Sequence, residues 1–267
     1  MSTNAEQILR DIEEADMILV GLGEEFEEKF IDKKNYEGYF HLIKGTKYEL
    51  NLSEFIKSAF VKQNSNNNIQ KAYSNLAKLI SDKNYFIVTT CKDNYIMNIG
   101  LDSERIVQPC GTYEELQCEN NCENILYKAE EYTKGIMQEL EVCIQNHNIE
   151  KVNSIEIPQC PNCGEKLVFN NMTSKKYSEI GYLPKWKIYT NWLQGTLNRR
   201  VCILELGVGV QFPTVIRWPF EKIAFFNQKS SFYRVHQSLY QLSEVLVNKG
   251  ISIPENALQY LTNNLFS

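Results

Sequence analysis

Four cysteines carry the clearest chemistry in this chain. Cys118 and Cys122 form one short knuckle, and Cys160 and Cys163 form a second. Each spacing lets two thiolates from one turn grip one metal ion. Two such knuckles make a four-sulfur tetrahedral site, the coordination that Zn²⁺ takes when its role is structural. Pro161 stiffens the second turn, and Gly164 lets the backbone fold beneath the metal. A site closed in this way keeps no open position for substrate. The competing reading is two disulfides or four buried thiols.

The elements that must position these knuckles come from a chain of 267 residues. That length suits one large domain, or a domain with a module inserted into it. A net charge of −5 and a pI near 5.4 argue against a nucleic-acid partner. No apolar run approaches the roughly 20 residues that span a bilayer, so no membrane partner is expected. Ser2 to Glu14 is polar and acidic, unlike a secretory signal. Eight cysteines without such a signal point to the reducing cytoplasm, where thiols bind metal or stay free. Cys91, Cys110, Cys143 and Cys202 remain outside the knuckles.

Residues 4–15 read as a helix with Ile8, Leu9 and Ile12 on one side. Asp16 to Val20 reads as a buried parallel strand that runs into Gly21-Leu22-Gly23. A strand, a Gly-x-Gly turn and an acidic start form the opening of a dinucleotide-binding βα unit. The third glycine of that fingerprint is absent, so a plain strand ending in a glycine turn is an equal reading. Glu24, Glu25, Glu27 and Glu28 read as a solvated helix start. Helices are expected over 54–61 and 69–80, separated by a loop over 64–68. A second buried strand runs from Tyr85 to Thr90 and ends at Cys91-Lys92-Asp93-Asn94. Polar side chains just past such a strand lie where open α/β sheets bind ligands.

A short strand is expected at Arg105 to Val107, and one long helix from Ile125 to Asn146. A further helix spans Lys185 to Leu197. Val201 to Leu206 is a strong strand that runs into Gly207-Val208-Gly209. Lys222 to Phe226 reads as another strand ending at Asn227, and Ser231 to His236 as the last. Helices over 238–249 and 254–265 close the chain. Trp186, Trp192 and Trp218 read as packing residues, Cys202 as core and Cys143 as half-buried.

These pieces, in this order, resemble the sirtuins. Gly21-Leu22-Gly23 lies where that family has Gly-Ala-Gly, and Thr89-Thr90-Cys91-Lys92-Asp93 where it has Thr-Gln-Asn-Ile-Asp. Cys110-Gly111 lies at its His-Gly, Gly207-Val208-Gly209 at its Gly-Thr-Ser, and Asn227 at the Asn that ends the next strand. Gln117-Cys118, Ile157 to Pro161, Leu204 to Gly209 and Pro219-Phe220 look like the branch of microbial sirtuins found beside macrodomain genes. Members of that branch are protein ADP-ribosyltransferases rather than efficient deacylases.

The resemblance implies an α/β fold: a Rossmann-like parallel sheet with an inserted smaller domain, part helical and part zinc module. Residues 1–23, 81–111 and 198–267 would form the NAD-binding domain. Residues 24–80 would form a helical cofactor-loop module, and 112–197 the zinc-binding module. NAD would be held by Gly21, Leu22, Gly23, Glu24, Thr90, Asp93, Gly207, Val208, Gly209 and Asn227. The catalytic positions would be Asp93, Cys91 and Cys110.

Two of these depart from the family, since Cys91 replaces an Asn and Cys110 replaces the His base. A thiol with a pKa near 8.5 is a poor substitute for imidazole near neutrality, and His41, His147 and His236 all lie outside the motif. Acidic side chains beside a pyrophosphate are electrostatically poor. The expected activity is therefore NAD-dependent ADP-ribosyl transfer to an acceptor protein, without efficient deacylation. The alternative is a degenerate module that binds NAD or ADP-ribose, or a protein-interaction scaffold. Cys91 and Cys110 would line one pocket, either as inert space-fillers or as a redox-sensitive or metal-catching pair.

Overall fold

The structure, a computed structural model, describes residues 4–27, 34–63, 67–146 and 149–265. Helix α1 (Asn4–Glu14) buries Ile8 and Ile12, one turn apart on one face. It leads into β1 (Met17–Leu22), in which every residue is buried, as in a parallel strand covered on both faces. Helices α2 (Lys34–Ile43), α3 (Glu49–Gln63) and α4 (Asn67–Ile80) separate β1 from β2 (Tyr85–Thr89) and β3 (Ile106–Val107). The chain then leaves the sheet. It forms β4 (Gly111–Cys118), β5 (Tyr127–Lys128), α5 (Glu130–Gln145), α6 (Ile149–Val152) and β6 (Leu167–Asn171). Helix α7 (Leu183–Gln194) brings it back to β7 (Val201–Leu206), α8 (Arg217–Phe226), β8 (Ser230–Val235) and β9 (Gly250–Ile253). Helix α9 (Ala257–Gln259) and a π-helical turn, Tyr260–Asn264, follow.

Six parallel strands make the main sheet, in the order β3-β2-β1-β7-β8-β9. A second, antiparallel sheet has the order β5-β4-β6. Strand β1 lies in register with both neighbours, Leu22 opposite Thr89 on one side and Leu206 on the other. One face of the main sheet packs Ile18, Val20 and Leu204 against α1, α4 and the C-terminal turns. The other face packs Leu19, Phe86 and Ile203 against α7 and α8. Alternate residues of one strand thus feed two cores, the three-layer solution for a parallel sheet.

Several sequence expectations need correction. Lys222 to Phe226 is the end of α8, not a strand. Phe220 and Ala224, four residues apart, bury on one helical face, whereas a short apolar run carries no visible period. Residues 125–129 precede α5, and Tyr127–Lys128 pair with β4. Residues 238–249 hold only the 3-10 turn Glu244–Leu246, and β9 was not foreseen. Helix α4 begins at Asn67, and residues 64–66 lie outside the described residues. Trp186 and Trp192 pack on the core, but Trp218 is exposed, and Cys143 is fully buried.

Asn227 changes role with this correction. It caps the C-terminus of α8, where its Nδ2 donates to Thr196 O at 3.0 Å and Arg199 O at 3.1 Å. Its Oδ1 accepts from Lys229 N at 2.9 Å. Those partners precede β7 and β8, so Asn227 stands at the opposite end of the strands from the glycine turns. Asn227→Ala should lower stability by about 1–2 kcal/mol through the lost carbonyl partners, read as a shifted urea midpoint with an unchanged slope.

Candidate active site and metal centre

The order of the main sheet reverses between β1 and β7, so a crevice opens at their C-terminal ends. Two glycine turns meet there. Gly23 N donates to Leu206 O at 3.0 Å, and Glu25 N donates to Gly207 O at 3.2 Å. A side-chain carbon on Gly23 would overlap the Val208 backbone, so only glycine permits this approach. A side-chain carbon on Gly209 would overlap the Glu24 carboxylate. Between the turns the crevice holds about 10 Å³ of free space, lined by Glu24, Glu27, Thr90, Val208, Gly209, Gln211 and Phe212.

The acidic run is not a solvated helix start. Glu24 to Phe26 forms a single 3-10 turn, and its three described glutamates have separate environments. Glu24 is half-exposed, and its Oε1 lies 3.6 Å from His236 Nε2. Glu25 is buried, and its carboxylate accepts from Gln237 N at 2.9 Å and Ala257 N at 2.6 Å. It thereby ties the turn after β1 to the segments after β8 and before α9. Burial raises the pKa of Glu27 above the usual carboxylate value, and Lys92 opposes the shift. Glu28 lies outside the described residues.

His236 directly follows β8 and is buried beside Glu24. Its Nδ1 accepts from Ser238 N at 3.1 Å and Leu239 N at 3.0 Å, a pattern that assigns the neutral ring's proton to Nε2. Sequence reasoning set this residue outside the family motif, at the end of an expected strand, and the fold brings it beside Glu24. His41 is exposed on α2, 3.7 Å from Glu37, and His147 lies outside the described residues.

The other wall follows β2. Thr90 lines the crevice, and Cys91 is buried, its Sγ donating to Gly23 O at 3.3 Å. Asp93 is also buried, and its Oδ1 accepts from Tyr95 N at 3.2 Å. Gln108 was missed by the sequence reading. Its Nε2 donates to Cys91 O at 3.1 Å and Asp93 O at 2.9 Å, which pins this loop. Cys110 is buried too, and burial, reinforced by Glu27, pushes its thiol up to about 12. Burial likewise pushes the Cys91 thiol well above its ordinary value. Both cysteines are protonated at neutral pH, which favours the space-filling reading over a reactive pair.

The two knuckles converge in the smaller lobe. The Sγ atoms of Cys118, Cys122, Cys160 and Cys163 all lie within 4.8 Å of one another. Cys118 and Cys163 are 3.4 Å apart, and Cys122 and Cys160 3.6 Å, far beyond a bonded S–S pair at about 2.05 Å. Four sulfurs on one Zn²⁺ at about 2.3 Å would stand about 3.8 Å apart, so the set fits a tetrahedral metal. The Cys163 backbone N–H, joined by that of Asn162, favours the Cys160 thiolate and lowers its pKa to about 7. A larger groove of about 680 Å³ lies apart from the strand ends, between α3 and β6.

Solved structures decide what architecture this is. A Sir2 enzyme superposes with a TM-score of 0.57 at 13% identity, covering 98% of this chain and 96% of that one. The chain has the sirtuin fold. A Sir2 complex with a p53 peptide and NAD⁺ superposes with a TM-score of 0.55 at 13% identity, over 97% of this chain and 96% of that one. A protein ADP-ribosyltransferase of Staphylococcus aureus (strain Mu50) is 23% identical, over 98% of this chain and 88% of its own length. A probable bifunctional ADP-ribose hydrolase/ADP-ribosyltransferase of Fusarium oxysporum f. sp. cubense is 27% identical over 52% of this chain, which is 23% of that protein. No family model matches the chain. None of the described helices is long and apolar enough to cross a membrane.

In this sirtuin fold Cys110 should behave as an inert core thiol. With a pKa of about 12, its thiolate fraction at pH 8 is about 10⁻⁴. Iodoacetamide labelling followed by mass spectrometry should show Cys91 and Cys110 reacting as slowly as core Cys202, with no Cys91–Cys110 link after mild peroxide.

Proposed function

We propose that the protein transfers ADP-ribose from NAD to a protein acceptor, with a structural zinc on its four cysteines. The observation that carries this reading is the switch-point crevice, where interlocked glycine turns meet Glu27 and Thr90, the residue that opens the loop after β2. Likeness to the S. aureus protein named as an ADP-ribosyltransferase supports it, as does the Sir2 complex that holds NAD⁺ and a peptide. Gly21, Leu22, Gly23, Thr90, Gly207, Val208 and Gly209 would hold NAD along the strand ends. Asn227 has no part in this. Glu24 must swing aside to admit the dinucleotide, and its exposure of 46% leaves it room to turn into solvent.

Transfer breaks the bond between nicotinamide and ribose, and the electron pair leaves with nicotinamide. Positive charge is left on the ribose, and a carboxylate steadies it. Asp93, on the loop after β2, would take that role. The acceptor's nucleophile then bonds to the ribose carbon and gives up a proton, which Glu27 is suited to take because burial raises its pKa. Deacylation is not expected, because the Cys110 thiol cannot act as the base near neutrality.

On this reading residues 1–23, 81–111 and 198–267 form the NAD-binding unit, 24–80 a helical unit and 112–197 the zinc-binding unit. The protein would work in the cytoplasm, where its thiols stay reduced. A second reading, binding of NAD or ADP-ribose without turnover, is favoured by one observation: Glu24 rests against Gly209 and leaves only about 10 Å³ free.

Incubation of the protein and labelled NAD with cell lysate should place label on protein, while acyl-peptide assays release no nicotinamide above background. Glu27→Gln should slow the transfer by about 10²-fold. Tight ADP-ribose binding without transfer would favour the second reading. Metal analysis should find one zinc per chain, and a strong chelator should lower the melting temperature. A zinc-free protein with an unchanged melting temperature would remove the metal.

A further inference from the structure

The Gly207-Val208-Gly209 turn is braced from behind by charge. Glu205 sits in β7, fully buried, two residues before the turn. Its carboxylate accepts from Arg234 Nε at 2.6 Å and Nη2 at 2.9 Å. Arg217, at the start of α8, places its Nη2 3.4 Å from Glu205 Oε1. The same Nη2 donates to Val208 O at 3.1 Å and Leu239 O at 2.6 Å. Arg234 continues the strap to Gln241 O at 2.6 Å and Glu221 Oε1 at 2.7 Å. One guanidinium nitrogen therefore joins the turn after β7, the segment after β8 and the carboxylate beneath them.

Peptide geometry turns this strap into a pointing device. The carbonyl of Val208 and the N–H of Gly209 share one planar trans unit and point in opposite directions. Holding the carbonyl inward on Arg217 leaves the Gly209 N–H directed away from Arg217. Gly209 lines the crevice, and the Glu24 carboxylate rests against its α-carbon, so an anionic group already lies beside this turn. The arrangement has a local cost, because the buried Arg217 Nε has no hydrogen-bond partner among the described residues. An unpaired buried donor calls for a reason other than packing.

We propose that Arg217, braced by Glu205, is a positioning residue that aims the Gly209 N–H at the diphosphate of a bound dinucleotide. The proposal rests on the reading that the crevice takes NAD. Arg217 need not touch the ligand; it acts through the Val208–Gly209 peptide. A lysine would keep the charge but lose the rigid guanidinium plane that holds one nitrogen between the carboxylate and the two carbonyls.

The test uses the full chain labelled with ¹⁵N-glycine, with ADP-ribose and adenosine as probes. In the unaltered protein ADP-ribose should shift the Gly209 amide, and adenosine, which lacks phosphate, should not. Arg217→Met should weaken ADP-ribose binding by about tenfold or more, abolish the Gly209 shift and leave adenosine affinity within about twofold. Arg217→Lys should restore part of the affinity, and it is the variant to use if Arg217→Met does not fold. Unchanged ADP-ribose affinity in Arg217→Met would overturn the proposal, as would equal loss of both ligands, which marks a merely structural role. Binding of neither ligand by the unaltered protein and by Glu24→Ala would instead overturn the NAD reading, and the proposal with it.

Discussion

A carboxylate buried in a central strand constrains much of this molecule. Glu205 has no access to water, and an unpaired charge there would cost several kcal/mol. Arg234 answers it from the neighbouring strand with a two-pronged contact. Burial works against the Arg234 charge, but the hydrogen bonds to Glu205 outweigh it, and its pKa lies above the ordinary value. Removing one partner of such a pair costs about 3–5 kcal/mol, because the other is left charged and dry. The start of α8, the segment after β8 and the turn after β7 all hang on this pair and on Arg217. The crevice takes its shape from what lies under it.

Above that foundation, three nearby glutamates do three different things. Glu25 is spent on structure, with two backbone N–H groups closing on its carboxylate. Glu24 faces the Gly209 turn beside His236, where a ligand phosphate would compete with it. Glu27 is drawn into the crevice, where burial holds its proton more tightly. An acidic stretch beside a turn proposed to hold phosphate is thus less contradictory than its net charge suggests. Of the three described glutamates, Glu24 is the one that would face a phosphate at the Gly209 turn, and it has solvent to turn into.

Strand β4 runs from the smaller lobe to the loops at the main sheet's edge. β4 begins at Gly111, next to Cys110 in the site, and ends at Cys118 in the sulfur cluster. Along it, Tyr113 N donates to Lys92 O at 3.0 Å, and Ser58 Oγ donates to Tyr113 O at 3.1 Å. The strand therefore touches the loop after β2, helix α3 and the metal-type cluster. Backbone and side-chain hydrogen bonds together tie the sulfur-bearing lobe to the loops after β2 and β3.

The amino-acid sequence by itself determined the elements whose signals are local. The paired cysteines, the largely apolar strands β1, β2 and β7, and the glycine turns after β1 and β7 are legible because spacing and composition suffice to specify them. Tertiary structure decided the rest. Lys222 to Phe226 is apolar enough for a strand, and becomes the end of a helix because Phe220 and Ala224 find the sheet face on one side. That change sends Asn227 to the far end of the sheet, and the turn after β1 brings Glu24 beside His236. Whether a glutamate is solvated, buried or set against a glycine depends on what faces it across the fold, and no neighbour in the chain reports that. The same is true of Cys91 and Cys110, whose substitution is visible in the sequence but whose protonated, enclosed state follows only from packing.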